Sequence, residues 1–281
     1  MRIVTFRMAI GLAAATLIAM PSFATPAKIG EDVDIWLNNG SCGSNECHFS
    51  TTYSAFDGGS RTVNVTATAW SISGGSGFES GTHQRASIHD YDFGLGATNT
   101  GESYSSPSHT VDNEGRREYI ALQFDSLVTA ESVKLALYNS EWGTADADMS
   151  ILVGNVPTGL DDYINPLAAL TDYQSGFTIQ NDYDGGSFNN NRNRGEFADW
   201  ITKDGFEFGA ADAGNVVLVA ADLFEYGSYA DMFKVKKLSV DVYENPISPP
   251  PGGAVPAPGA IALLGLGLAG LGFRQRRRRT A

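Results

Sequence analysis

A two-residue alternation of apolar and polar side chains restricts the fold of this 281-residue chain more than any other feature. Between positions 61 and 70, the apolar residues Val63, Val65, Ala67 and Ala69 share one parity, and threonine and asparagine fill the other. Successive side chains of a β-strand point to opposite faces of a sheet, whereas a helix repeats every 3.6 residues or so. The pattern therefore predicts a half-buried strand.

The same alternation returns in residues 120–124 and 133–137, and again near the end of the chain. There the apolar parity changes between Val235 and Leu238, across Lys236-Lys237, which predicts a β-bulge or bend in the last strand. Repeated short alternating segments with little helical period predict an all-β fold, an antiparallel β-sandwich of jelly-roll type.

The sandwich is expected to occupy residues 25–243 as a single domain. Two polar stretches, residues 71–87 and 181–195, are predicted to be long loops within it. A proline- and glycine-rich segment at 244–254 follows, and its composition predicts an extended linker.

The first 24 residues have the composition of a secretory signal peptide. Arg2 and Arg7 flank a short basic start, residues 8–20 are almost wholly apolar, and Ser22-Phe23-Ala24 ends the segment with mostly small residues. Such a segment is a short helix that is removed on export, here after Ala24. The chain is therefore expected to use the Sec export machinery and signal peptidase.

Export would place the two cysteines in an oxidising compartment, where a disulfide bond is stable. Cys42 and Cys47 are separated by four residues and can close a small disulfide ring in an oxidising compartment. A metal-binding pair is the alternative, although this spacing without a second cysteine pair is poor for zinc. A ring of this size is expected to contribute about 2 kcal/mol as a local staple.

The charge of the mature body argues against polyanionic partners. Of the 19 basic residues, two lie in the signal peptide and five in the C-terminal tail, which leaves 12 against 32 acidic residues and a net charge of −20. Such a body is unsuited to nucleic acid and to anionic membrane surfaces. It suits an extracellular domain that binds calcium or neutral polymers.

The C-terminal residues combine three elements in a fixed order: a proline element, an uncharged apolar run at 259–273, and an arginine cluster. As a helix, the apolar run spans about 22 Å, less than the roughly 30 Å hydrocarbon core of a bilayer. The cluster behind it favours a cytoplasmic position. The segment therefore predicts marginal membrane retention, either as a processed sorting signal or as a permanent single-span anchor. The proline element and the cluster consist of Val255, Pro256, Ala257, Pro258, Arg276, Arg277, Arg278 and Arg279.

This order at 255–281 resembles the PEP-CTERM sorting signal of Gram-negative bacteria, with Ala257 where glutamate is usual. The resemblance implies an exosortase in the inner membrane that recognises the Pro-x-Pro element and releases the protein to the cell surface or the medium. The same segment also occurs under the label of an ice-binding protein C-terminal domain. The sequence has no regular Thr-x-Thr array long enough to favour ice binding.

Short motifs in the body are similar to those of exosortase-dependent surface proteins, a group of PEP-CTERM proteins. They include VTATAWS, GLG, SHTVDN, YIALQFDSLVTAESVKLAL, DADMSILVG and DMFKVKKLSV, in that order, with a departure at ALYNSEWGTA. The resemblance implies residence at the surface or in the matrix of an exopolysaccharide-producing bacterium, without known catalysis. It names no ligand.

The residues around the glycine-rich loop and the following turn are candidates for a calcium site. Calcium prefers oxygen ligands from carboxylates, amides and backbone carbonyls. Asp112, Asn113 and Glu102, with carbonyls of Gly94 and Gly96, could supply such ligands. Ordinary turn chemistry explains the same residues without a metal, so both interpretations stay open.

No nucleophile-elbow, zinc-protease or phosphate-loop motif occurs in the sequence. The principal hypothesis is therefore a non-enzymatic exported protein associated with extracellular polysaccharide or biofilm. A sugar-binding module is one alternative, for which exposed Trp70, Trp142, Trp200 or neighbouring tyrosines lining one flat face or cleft would be the discriminating sign. A glycan hydrolase is another, for which two carboxylates facing each other in a cleft would decide.

Overall fold

The computed structural model describes the body of the chain, within the unit Thr25–Pro246. The predicted signal peptide, the linker beyond residue 244 and the predicted sorting segment lie outside the described residues. The described residues are 25–43, 45–74, 81–99, 109–113, 115–138, 144–145, 148–156, 178–183, 188–189, 197–223 and 231–244.

Most of the described residues are β-strand, as the alternation predicts, and they include one short 3-10 helix at Ala210–Asp212. Within these ranges no helix is long and apolar enough to cross a bilayer. The strands are β1 Lys28–Trp36, β2 Ser41–Cys42, β3 Cys47–Ser54, β4 Ser60–Ser73, β5 Thr82–Tyr91, β6 Gly94–Thr98, β7 Val111–Asp112, β8 Arg117–Tyr138, β9 Thr144–Ala145, β10 Met149–Gly154, β11 Thr178–Tyr183, β12 Phe188–Asn189, β13 Phe197–Asp204, β14 Gly214–Ala221 and β15 Met232–Tyr243.

The long strand β8 organises the sheet because its two halves have different neighbours. Its first half pairs with β4 on one side and β14 on the other. Its second half pairs with β15 and β13. All these pairings are antiparallel, and β8 thereby belongs to two layers.

The first layer contains β11, β10, β14, the first half of β8, β4, and then β3 and β5 beside β4. The second layer contains β13, the second half of β8, β15 and β1, with β6 and β7 against the start of β15. Strand β5 pairs with both β4 and β6 and so connects the layers along one edge. This sandwich-like arrangement agrees with the predicted fold class.

The main core lies between the two layers and is formed by the apolar parity of each strand. Val63, Val65, Ala67 and Ala69 are all buried in it, as their alternation predicts. Leu135 and Val240 enter the same cluster from the second layer. Since one parity of each strand fills this cluster, the other parity forms the two outer faces.

The bulge predicted at the two lysines is confirmed. The register between β15 and β8 shifts between Val235 and Lys237, which leaves Lys236 as the extra residue. A second shift, which the sequence analysis did not predict, lies between Ser239 and Val240 opposite Glu131. It changes the apolar parity of β8 in the same way.

The predicted loops are only partly correct. Strand β4 continues to Ser73 and β5 begins at Thr82, so residues 71–73 and 82–87 of the predicted first loop are strand. Ala86 and Ile88 of β5 lie in the main core, which explains the pairing despite the polar composition. Strands β11 and β12 likewise extend into the second predicted loop.

Candidate functional site

The outer face of the second layer presents a row of four side chains on adjacent strands. Trp36 of β1 lies opposite Lys237 of β15, Lys237 opposite Lys134 of β8, and Lys134 opposite Thr202 of β13. Neighbouring strands lie about 4.8 Å apart, so the row extends about 14 Å across the sheet. Trp36 is 48% exposed, although tryptophan is a residue that folding usually covers.

Polar side chains from the next row complete the surface. Asp34 of β1 lies opposite Ser239, and Ser239 opposite Ser132. The Lys237 Nζ donates to Asp34 Oδ1 at 2.8 Å, and the Ser239 hydroxyl donates to the same oxygen at 2.9 Å. Ser239 is buried and supports Asp34 from beneath. We call the surface formed by Trp36, Asp34, Lys134 and Lys237 the Trp36 face.

These contacts hold the tryptophan in a charged environment. The ammonium of Lys237 lies 5.7 Å from the centroid of the Trp36 ring, within the range of a cation–π interaction. Lys237 therefore contacts the ring on one side and the Asp34 carboxylate on the other. The result is an exposed aromatic ring bordered by fixed hydrogen-bonding groups.

The alternation within β1 is a sequence signal for this site. Val33 and Ile35 are buried in the main core, so Asp34 and Trp36 must point to the opposite face of β1. The strand contains too many charged residues to stand out as an alternating segment.

A buried lysine lies beside the Trp36 face. Lys234 of β15 is 7% exposed, and its ammonium lies 3.5 Å from the centroid of the Tyr91 ring and 4.8 Å from that of Tyr138. Burial lowers the pKa of Lys234 to about 8 and raises the pKa of Tyr138 to about 12. The two ring faces attract an ammonium and so offset part of the cost of burying its charge.

Two histidines pack against the same tyrosine. The rings of His89 and His109 lie 4.8 Å apart, and the His109 ring stacks with Tyr91 at 5.9 Å. Burial lowers the pKa of His89, and the positive charge of Lys234 lowers it further. His109 Nδ1 is 2.5 Å from the Thr98 hydroxyl, which fixes the position of its ring.

A pair of carboxyl groups lies at the other end of the second layer. Burial, the charge of Asp241 and a hydrogen bond with Asp241 together raise the pKa of Glu131 to about 7, and burial has the largest effect. Lys28 forms an ion pair with Asp241. Glycosidases hold their two carboxyl groups about 5 Å or more apart so that the sugar fits between them. Carboxyl groups that share a hydrogen bond do not have that geometry.

The tryptophans named in the sequence analysis do not supply the exposed ring. Trp70 is fully buried in a separate cluster on the outer side of the first layer, which we call the Trp70 cluster. It also contains Tyr119, Leu152 and Leu218. Trp142 and the side chain of Trp200 lie outside what the structure describes, although the backbone of Trp200 pairs with Ala136 in β8.

The candidate calcium residues come together along the start of β15, where β6 and β7 both pair. Asp112 is buried and accepts a hydrogen bond from the Thr110 hydroxyl at 3.3 Å. Asn113 donates to Asp231 Oδ2 at 2.6 Å and accepts from the Asp231 amide at 2.9 Å. No cluster of three or more histidine, cysteine or acidic side chains suited to a metal occurs in the described ranges.

The two glycines of this group have a packing role that needs no metal. Gly94 has a φ of +115°, and a side chain there would collide with the carbonyl of Val235. A side chain at Gly96 would collide with the carbonyl of His109. Glu102 lies outside the described residues. The calcium site therefore stays a prediction.

The predicted disulfide is confirmed. Cys42 and Cys47 are bonded and lie opposite each other in the β2–β3 hairpin. Asp90 of β5 supports this hairpin, because its Oδ2 accepts from the backbone amides of Asn39 at 3.0 Å and Gly40 at 2.8 Å. The ring is thus attached to the body through β5 as well as through β3.

Comparisons with known proteins identify the C-terminal segment. Residues 254–278 match the family model described as the PEP-CTERM protein-sorting motif, which confirms the predicted sorting signal. The motif implies export with sorting at a membrane. The match is confined to these residues and does not extend to the β-sheet body.

Among solved structures, this chain is similar to a carbohydrate-binding module, CBM28, described as specific for non-crystalline cellulose, with 14% sequence identity and a TM-score of 0.27. The similarity covers 63% of this chain and 88% of the other. No curated protein sequence gives a significant match.

Proposed function

We propose that this protein is a non-enzymatic surface protein that exosortase releases to the cell exterior, where it binds extracellular polysaccharide through the Trp36 face. The exposed ring of Trp36 beside fixed polar groups is the observation that carries this proposal. An aromatic side chain provides a large, stiff apolar area for the C–H face of a sugar ring. The adjacent carboxylate of Asp34 and ammonium of Lys237 can hydrogen-bond to sugar hydroxyls.

The flat shape of the face also suits a polymer. Trp36, Lys237, Lys134 and Thr202 lie on four adjacent strands, so a chain crossing the sheet contacts them in succession. The ion pair between Lys237 and Asp34 holds both side chains in place before a ligand arrives. A preformed site loses less side-chain freedom on binding.

The sorting motif supports polysaccharide binding outside the cell. We expect the segment 255–281 to hold the chain in the inner membrane until exosortase removes it, which leaves the acidic body outside the cell. Release outside the cell and polysaccharide binding through the Trp36 face would together associate the protein with exopolysaccharide or a biofilm matrix.

A binding assay on the exported protein tests the proposal. Protein recovered from the outer surface is weighed by mass spectrometry, where a mass without Arg276–Arg279 is expected, and is then applied to an array of soluble polysaccharides. The Trp36→Ala variant is expected to bind at least about tenfold more weakly than the unaltered protein, because a central aromatic contact contributes about 2 kcal/mol.

Phe56 offers a matched control. It is 62% exposed and its backbone amide bonds to Ile29, near the opposite end of β1 from Trp36. Ile29 and Trp36 are seven positions apart along the strand, a distance of about 23 Å. Phe56→Ala is expected to leave binding unchanged. Failure of every polysaccharide to bind, or an equal loss in both variants, would contradict the proposed function.

A further inference from the structure

Three large apolar side chains are exposed among the residues that the structure describes, and two of them lie at the same junction of strands. Trp36 is 48% exposed, Phe93 is 41% exposed and Phe56 is 62% exposed. Phe93 belongs to the turn between β5 and β6. Folding usually covers rings of this size, so two exposed rings near one another indicate a surface for a partner.

The junction lies along one edge of β15. Strand β8 occupies the other edge. Strand β1 pairs with β15 from Lys237 onward, and β6 pairs with it at Val235. Lys236, the extra residue of the bulge, therefore lies where β1 and β6 meet. Trp36 ends β1 on one side of this junction, and Phe93 precedes β6 on the other.

Backbone contacts with Lys236 limit the distance between the two aromatic residues. The amide of Leu37 donates to the Lys236 carbonyl at 2.8 Å. On the other side, a Cβ atom added to Gly94 would lie 2.7 Å from the Lys236 Cα atom, so the turn packs directly against the bulge. With ordinary covalent dimensions, these contacts place the Cα atoms of Trp36 and Phe93 within about 16 Å of each other. An extended chain of a few sugar units reaches across such a distance.

Hydrogen bonds connect the loop that follows β1 to the β5–β6 hairpin. The side-chain amide of Asn38 donates to the Asp92 carbonyl at 3.4 Å. Asp90 Oδ2 accepts from the backbone amides of the next two residues of the loop, at 3.0 and 2.8 Å. These bonds link the loop beyond Trp36 to the turn that carries Phe93. The spacing of the two aromatic residues is therefore set before a ligand arrives, which reduces the cost of binding.

We propose that Phe93 is a second sugar-stacking position beside the Trp36 face, so that the protein binds a run of several sugar units within an extended polysaccharide chain and not a single sugar. This inference rests on the proposed function and specifies the form of its ligand. One sugar ring stacks on Trp36, and another ring farther along the same chain stacks on Phe93. The side-chain amide of Asn38 can hydrogen-bond to sugar hydroxyls near the junction.

Fragment length tests this proposal. The polysaccharide that the exported protein binds on the array is partially hydrolysed, and the fragments are separated by length from single sugars upward. Titration calorimetry is expected to show an affinity that rises with length and levels off once a fragment covers both rings, because the second contact is then made within one ligand. An affinity that is the same for single sugars and for long fragments would overturn the proposal.

Substitutions locate the second position. Phe93→Ala is expected to weaken the binding of long fragments about tenfold. It is expected to leave the shortest fragment that binds almost unaffected, since that fragment occupies Trp36 alone. Trp36→Ala is expected to weaken the binding of short and long fragments alike. Phe56→Ala removes the same side chain as Phe93→Ala from a more exposed site and is expected to change neither.

Two further variants separate stacking from a structural role. Phe93→Leu keeps an apolar side chain but loses the flat ring, and it is expected to weaken the binding of long fragments as Phe93→Ala does. Phe93→Tyr keeps the ring and is expected to preserve the affinity. Denaturant titration of all variants shows that they fold. An equal loss for fragments of every length in Phe93→Ala would mean that Phe93 only supports Trp36, and it would overturn the second position.

The failures of the two proposals differ. If Phe93→Ala binds long fragments as tightly as the unaltered protein while Trp36→Ala does not, the second position is overturned and polysaccharide binding through Trp36 remains. If the unaltered protein binds no polysaccharide on the array, both proposals are overturned.

Discussion

The two outer faces of the sandwich place similar residues in opposite environments. In the first layer, Trp70 and Tyr119 are fully buried, with their rings stacked 6.4 Å apart. In the second layer, Trp36 is 48% exposed at the end of β1. Both tryptophans point away from the core between the layers. The difference therefore comes from what surrounds each face and not from the strand pattern.

The polar neighbours of the two tryptophans also differ in their exposure to solvent. The Trp70 indole N–H donates to the Thr68 hydroxyl at 2.9 Å, and Arg85 lies 4.9 Å above its ring. These groups satisfy Trp70 internally. Around Trp36, Lys237 and Asp34 are only partly buried and still present polar atoms to solvent. A tryptophan whose partners are internal stabilises the fold, and one whose partners face solvent is available to a ligand.

The largest expected effect is the loss of stability in Trp70→Ala. Removing a fully buried tryptophan lowers the free energy of unfolding by about 3–5 kcal/mol, because it leaves a cavity as well as losing apolar burial. Trp36→Ala is expected to change the free energy by less than about 0.5 kcal/mol. Denaturant titration of both variants, followed by near-UV circular dichroism, measures the difference.

Equal destabilisation by the two substitutions would break the comparison. It would mean that Trp36 is covered in solution and that its exposure does not make it a binding platform. The Phe56→Ala variant calibrates the measurement, since Phe56 is even more exposed.

The alternation in the sequence was sufficient to predict the core but not the layers. Val63 to Ala69 pack as predicted, and the bulge at Lys236 is present. Residues 120–124 and 133–137 looked like two strands, yet they are parts of the single strand β8. The bulge opposite Glu131 reverses the parity between them, and no local pattern shows that one strand continues through such a change.

Most of the candidate site could not be predicted from local sequence patterns, because its residues come from strands that are distant in the sequence. Trp36 and Lys134 are distant in sequence and meet only because β15 pairs with both β1 and β8. Register between distant strands depends on the whole fold. His83 illustrates the converse, since it lies in the predicted loop 71–87 but is fully buried and bonded to the Tyr119 hydroxyl.

Tyr119→Phe is expected to have an intermediate effect. The Tyr119 hydroxyl lies 2.8 Å from His83 Nδ1, and both side chains are fully buried. Removing the hydroxyl leaves the histidine nitrogen without this bond, which costs about 1–3 kcal/mol. Thermal unfolding at constant pH measures the loss.

The corresponding substitution in the second layer is Tyr243→Phe. The Tyr243 hydroxyl lies 3.3 Å from the Thr129 hydroxyl, a longer and weaker bond. A smaller loss than that of Tyr119→Phe is expected. If Tyr243→Phe destabilises as much, then the internal satisfaction of polar groups does not distinguish the two faces.

The smallest expected effect concerns pH and belongs to the second layer. The pKa of Glu131 is raised to about 7, mainly by burial and then by the carboxylate of Asp241. The folded state therefore binds a proton more tightly than the unfolded state, whose carboxyl titrates near pH 4.5. Stability from this group is complete below about pH 4.5 and is lost as the pH rises through about 7. Because Glu131 is partly exposed, solvent screening limits the change to about 1 kcal/mol.

Glu131→Gln, which stays neutral at every pH, is expected to remove this part of the pH dependence. Compared with the unaltered protein, it is expected to be relatively more stable at pH 8 than at pH 5. Unfolding titrations of both proteins at the two pH values measure it, with Glu31→Gln as the control for an exposed acid on neighbouring β1. Equal slopes in the unaltered protein and in Glu131→Gln would show that the acid pair beside Lys28 does not hold a shared proton.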